Sequence, residues 1–122
     1  MWNTGKYRLE LTNSTTPHIV INEEYVRIDG LQINAIDSGA RWPTGIQIGI
    51  NNINSDVKIS NNIFQANFSG LTNYGYGIGS FSANNSVARI WNNIIYGFTG
   101  GSGGTDYGIY DFAHLRNCAF GR

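Results

Sequence analysis

The sequence predicts one all-β domain spanning residues 1–122, a short right-handed parallel β-helix (β-solenoid) of about 31 residues per coil, with three full coils plus partial ones. Three observations predict it. Only 13% of residues are charged and 41% hydrophobic, while Gly and Asn number 16 each, a composition unsuited to helix interiors and suited to frequent turns. A strand-like block then recurs without gaps: Val26-Arg27-Ile28-Asp29-Gly30-Leu31-Gln32-Ile33, Val57-Lys58-Ile59-Ser60-Asn61-Asn62-Ile63-Phe64 and Ala88-Arg89-Ile90-Trp91-Asn92-Asn93-Ile94-Ile95. A second motif, Gly45-Ile46, Gly77-Ile78 and Gly108-Ile109, follows at almost the same period. Two motifs sharing one period point to stacked coils.

Taken in order, residues 1–18 read as an irregular N-terminal strand and loop, with the strand at Tyr7-Arg8-Leu9-Glu10-Leu11, and residues 19–122 as the coils. Inside each block Val26 and Ile28, Val57 and Ile59, and Ala88 and Ile90 alternate with polar residues, the signature of a strand with one buried face. Gly30, Asn61 and Asn92 follow two residues after the central Ile. Gly and Asn tolerate the left-handed region, so this position predicts a sharp bend. Ile33, Phe64 and Ile95 resume the apolar alternation, and Gly-Ile opens another short strand. Hairpins would need tight reversing turns such as Asn-Gly, and the sequence contains none. Parallel stacking of equivalent strands remains, with right-handedness taken from the bias of parallel crossovers. Cys118-Ala119-Phe120-Gly121 aligns with Ala88-Arg89-Ile90-Trp91, so the sequence stops inside a fourth coil, as expected of a fragment or of a chain whose ends pair with another copy.

Composition also bounds function. Eight basic and eight acidic side chains cancel, which argues against nucleic acid or an anionic membrane as partner. No run approaches the roughly 18 apolar residues of a membrane span. Met-Trp-Asn-Thr-Gly-Lys is no signal peptide, so the expectation is an intracellular chain, a processed product or an excised fragment. The single Cys118 excludes an internal disulfide and a cysteine-based zinc cluster. Neither a metal nor a cofactor is expected.

The pattern Val-x-Ile-x-Asn-Asn-x-Ile/Phe, alternating with Gly-Ile over roughly residues 19–120, resembles the right-handed parallel β-helix repeat of the pectin lyase-like superfamily. That resemblance implies the fold and an extracellular or cell-surface location. It leaves function open among lyases, glycosidases, epimerases, tailspikes and non-catalytic surface proteins. It also implies an Asn ladder inside the bend. Asn62 and Asn93 match it and Leu31 departs, so the ladder would start at the second coil.

With Ile28, Ile59 and Ile90 inward, Arg27, Lys58 and Arg89 form an outward column of like charges at strand spacing, which is unfavourable unless it is neutralised. Together with Trp91 and Tyr96 it is the candidate ligand-binding face, suited to an acidic polysaccharide through charge, stacking and hydrogen bonds. The plainer reading is that Asp29 and Asp56 neutralise Arg27 and Lys58 on a solvated face. For catalysis, calcium-assisted elimination would need several clustered carboxylates, and hydrolysis two facing ones. The acids are scattered, and the remaining acid/base candidates are Asp106, Asp111 and His114. His18 reads as a loop residue. Tyr74, Tyr76, Tyr107 and Tyr110 flank the Gly-Ile strands as a second candidate column.

The first function expected is therefore a non-catalytic module, structural or carbohydrate-contacting, from a larger surface or polysaccharide-associated protein. The alternatives are a fragment of a lyase or glycoside hydrolase acting on acidic polysaccharide, and a filament subunit associating end to end.

Overall fold

The computed structural model describes residues 8–12, 17–37, 44–50, 52, 54–68, 75–80, 87–98 and 107–111. Within them lie strands β1 (Arg8–Thr12), β2 (Ile19–Ile21), β3 (Arg27–Asp29), β4 (Gln32–Asp37), β5 (Thr44–Ile48), β6 (Val57–Ser60), β7 (Ile63–Phe68), β8 (Tyr76–Ser80), β9 (Ala88–Trp91), β10 (Ile94–Tyr96) and β11 (Tyr107–Asp111), and no helix. They form three sheets, ordered β1-β4-β7-β10, β2-β5-β8-β11 and β3-β6-β9. Every pairing is parallel. The protein is an all-β chain of parallel sheets, an arrangement consistent with a β-solenoid.

The repeated blocks sit on one another in register. Arg27 pairs with Lys58 and Lys58 with Arg89, while Ile28, Ile59 and Ile90 stack between them. Ile33, Phe64 and Ile95 are likewise neighbours across β4, β7 and β10. Ile46, Ile78 and Ile109 align across β5, β8 and β11. The strand expected near the N-terminus is β1, and it lies in parallel beside β4, with Leu9 against Ile33. Thus the first strand belongs to the same sheet as the repeats, although its offset is shorter.

The core is built mainly of aliphatic side chains, with one aromatic ring among those named: Ile28, Ile33, Ile46, Ile48, Val57, Ile59, Phe64, Ile78 and Ile90 all pack into one cluster. β-branched side chains suit this interior because they are stiff at χ1 and pack well on pleated surfaces. The column following Gly-Ile changes chemistry upward, with Ile48 beside Ser80 and Ser80 beside Asp111. Ser80 is buried nonetheless.

The bends fall where Gly and Asn predicted them. Gly30, Asn61 and Asn92 have φ of 76°, 56° and 52°. Immediately after, the buried Asn62 side chain spans rungs. Its Oδ1 accepts from the Leu31 N–H at 2.9 Å, and its Nδ2 donates to Ile28 O at 3.2 Å and to Asn93 Oδ1 at 3.0 Å. Asn93 Oδ1 in turn accepts from the Asn62 N–H at 2.9 Å, and Asn93 Nδ2 donates to Ile59 O at 2.9 Å. The amides thereby supply acceptors for the Leu31 and Asn62 N–H groups, which lie outside the strands, and add a side-chain donor to the Ile28 and Ile59 carbonyls.

Candidate functional site

The basic column crosses the outer face of the β3-β6-β9 sheet. Arg27, Lys58 and Arg89 are adjacent on successive strands, and Trp91 closes the neighbouring column above Ser60 and Asp29. Tyr96 lies elsewhere. It pairs with Gln65 on β7, in the sheet that begins beyond the left-handed bend at Asn92. The structure therefore brings Arg27, Lys58, Arg89 and Trp91 onto one sheet and places Tyr96 on the next.

Carboxylates are interleaved with the cations. Asp56 pairs with Lys58 at 3.0 Å and also with Arg89, while Arg27 lies 3.6 Å from Asp29 on its own strand. Two carboxylates thus face three cations. Exposed pairs of this kind contribute about 0–1 kcal/mol each, so their main consequence is to cancel the repulsion within the column. Arg27 keeps the most exposed side chain of the three cations, at 65%.

Asp29 is tied down further. Its Oδ1 accepts from Ser60 Oγ at 2.7 Å and from Asn61 Nδ2 at 2.6 Å. These two hydrogen bonds, with the Arg27 charge behind them, hold its carboxyl below the ordinary value. Asn92 Nδ2 donates to Asn61 Oδ1, so a second amide ladder runs outside the bend and ends on Asp29. Sequence reasoning missed this outer ladder, although the Asn61-Asn62 and Asn92-Asn93 doublets signalled it. It also gave Asp56 to Lys58 alone.

The remaining candidates divide. Asp106 and His114 lie outside the described residues, as does the side chain of Asp111, whose backbone ends β11 beside Ser80. Among the tyrosines, Tyr76 and Tyr107 stack with ring centroids 5.9 Å apart, and Tyr110 packs on both at 4.6 and 4.9 Å. Tyr76 is buried, which makes this cluster part of the packing at the β8–β11 boundary. Tyr74 lies outside the described residues. His18 is held in the turn before β2, its ring nitrogens 3.1 and 3.3 Å from the carbonyl oxygens of Thr44 and Asn34. No group of three or more His, Cys, Asp and Glu able to hold a metal occurs among the described residues. Nor is any helix there long and apolar enough to cross a membrane.

Beside the basic column lie two open clefts that share Tyr25 and Val26. One, of about 220 Å³, is lined by Tyr25, Val26, Arg27, Asp56 and Lys58. The other, of about 630 Å³, runs from Asn22 through Val26 to Ile50 and Asn52. Sequence reasoning did not single out Tyr25, because a lone Tyr between repeats carries no periodic signal.

Comparison of the chain with family models, with curated proteins and with solved structures finds no match. The class of protein is therefore defined by its own architecture: parallel sheets whose repeated side chains stand in register.

Proposed function

We propose that the chain is a right-handed parallel β-helix module of the pectin lyase-like type, with about 31 residues per coil and three full coils plus partial ones. It is a non-catalytic module that contacts acidic polysaccharide through Arg27, Lys58 and Arg89, with Trp91 as the adjoining stacking surface. The observation that carries this reading is the register of the three cations on successive strands of one sheet, paired among the described residues with two carboxylates, Asp29 and Asp56. A polyanion laid along the column would meet a cation at each rung, roughly every 4.8 Å. The Asp56 pairing keeps the column tolerable without ligand, and it is weak enough in water to be exchanged for a ligand carboxylate.

Retention on immobilised polygalacturonate is the test. The native chain should be retained at low salt and released as salt rises, since screening weakens exposed charge pairs. Simultaneous Arg27→Gln, Lys58→Gln and Arg89→Gln substitution should abolish retention while leaving the fold intact. A native chain that passes through at low salt overturns the proposal.

A second reading, end-to-end association, draws on an apolar side chain left exposed on an outer strand. Leu9 on β1 stands in the inward column of Ile33, Phe64 and Ile95, yet it is 45% exposed because β1 is the edge of its sheet. Sedimentation across a concentration range tests it, and a strictly monomeric species at the highest concentration rejects it.

A further inference from the structure

The larger cleft has a composition the basic column does not explain. Among the described residues its apolar lining is Val26 and the buried Ile50, its polar lining is Asn22, Glu23, Glu24 and Asn52, and the exposed Tyr25 also lines it. Tyr25 is 73% exposed, the highest exposure of any large hydrophobic side chain among the described residues. An aromatic ring left so open forgoes the burial that usually accompanies its large apolar surface.

The backbone presents this ring firmly. The Asp56 N–H donates to Glu24 O at 2.7 Å, and the Lys58 N–H donates to Val26 O at 2.8 Å. Tyr25 is thus bracketed by two bonds to the next rung, which fix its backbone while the ring stays out. The polar lining is fixed as well. Asn52 Nδ2 donates to Glu24 Oε1, and Asn52 Oδ1 accepts from the Asn54 N–H at 2.9 Å. Gly49 leaves room for Asn22, because a Cβ there would lie 2.7 Å from Asn22 Oδ1. An open cleft that gathers a few polar groups over an apolar floor has the makeup of a ligand site, and about 630 Å³ is within the range such sites occupy.

The geometry points to a saccharide subsite centred on Tyr25 that takes a neutral pyranose ring. The apolar C–H face of a pyranose lies against an aromatic ring, and its hydroxyls donate to carboxylates and exchange hydrogen bonds with amides. Glu23 and Glu24 supply the carboxylates, and Asn22 the free amide. Those two acids repel a uronate, so this cleft selects a different sugar from the one suited to the basic column. A cationic ligand, which would also suit Tyr25 and the two acids, is disfavoured by Arg27 and Lys58 in the adjoining cleft. The subsite is independent of the polyanion reading, since it uses none of the three column cations.

The experiment is a ¹H–¹⁵N NMR titration of the full chain with cellohexaose, mannohexaose, xylohexaose, polygalacturonate and choline, each added separately. At least one neutral hexaose should shift the amide signals of residues 22–26 and 52. Tyr25→Ala should remove those shifts, Tyr25→Phe should keep them, and Glu23→Gln should weaken binding several-fold. Tyr25 is largely exposed, so its truncation leaves the core untouched. Shifts from choline alone would overturn the inference in favour of a cation site. Shifts from polygalacturonate alone, mapping to Arg27, Lys58 and Arg89, would overturn it while sparing the polyanion reading. Silence from every hexaose overturns it too, whereas a hexaose response without a polygalacturonate response leaves it standing and removes the other.

Discussion

Two repeated glycine-and-amide positions share the same repeat, yet they answer different physical demands. At the bend, Gly30, Asn61 and Asn92 are chosen for backbone conformation: all have positive φ, and a Cβ on Gly30 would meet nothing within 4 Å. In the Gly-Ile strands Gly45 and Gly77 are chosen for space, whereas a Cβ on Gly108 would make only ordinary contact, 3.6 Å from Ile95 Cγ2. A Cβ on Gly45 would lie 2.6 Å from Gly77 O and 2.9 Å from Phe64 Cδ1. One on Gly77 would lie 2.6 Å from both Gly108 O and Ile95 Cγ2. The bend therefore accepts Asn in place of Gly, and the strand position does not. The same sequence symbol marks dihedral freedom in one column and close approach in the other.

Gly97 sharpens the contrast, because it combines both demands: its φ is 78°, and a Cβ would run into the Ala66 carbonyl. Gly97→Ala should be the most damaging of these changes, costing more than about 3 kcal/mol by adding overpacking to left-handed strain, and Gly77→Ala should follow it. Urea denaturation of the two variants checks the order. Asn62→Leu comes next, at about 2–3 kcal/mol. It orphans the Leu31 N–H and removes the side-chain donor from the Ile28 carbonyl and from Asn93 Oδ1, and lower protection of the Leu31 amide in hydrogen exchange should accompany the loss.

Gly30 gives the smaller effects. Gly30→Ala should cost about 1 kcal/mol, from dihedral strain alone. Gly30→Asn should stay within about 0.5 kcal/mol of the native chain, because Asn already occupies the equivalent bends at Asn61 and Asn92. If thermal melts rank Gly30→Asn below Gly30→Ala, the dihedral account of the bend fails.

Smallest is the pH effect at Asp29. Its folded carboxyl is held below the ordinary 3.8 by Ser60, Asn61 and Arg27, so the stabilisation is present above that value. It is lost as pH falls through the lower folded value. The stability difference between the native chain and Asp29→Asn should therefore be constant near neutrality and shrink only in acid below 3.8. A difference that shrinks already near neutrality would show that Asp29 is not held by these partners.

Much of this was legible in the order of residues. The spacing of Val-x-Ile blocks places Ile28, Ile59 and Ile90 in one column because period-two alternation fixes the face and the repeat fixes the rung. The bends at Gly30, Asn61 and Asn92 follow from the few residues that tolerate positive φ. The basic column was legible for the same reason. So was the neutralisation of Arg27 by Asp29 and of Lys58 by Asp56; that of Arg89 was not, since Asp56 reaches it across 33 positions and only stacking makes them neighbours.

By itself, then, the amino-acid order determined which residues stand above one another, because stacking a repeat turns linear distance into vertical contact. The tertiary structure alone decided what lies beside those columns. It set Tyr96 on a different sheet from Trp91, and it formed the Tyr25 cleft from segments some thirty residues apart, Asn22 to Val26 with Ile50 and Asn52. Lateral neighbours depend on how sharply each corner turns, and that angle is fixed by packing and hydrogen bonds between rungs rather than by any residue's own preference.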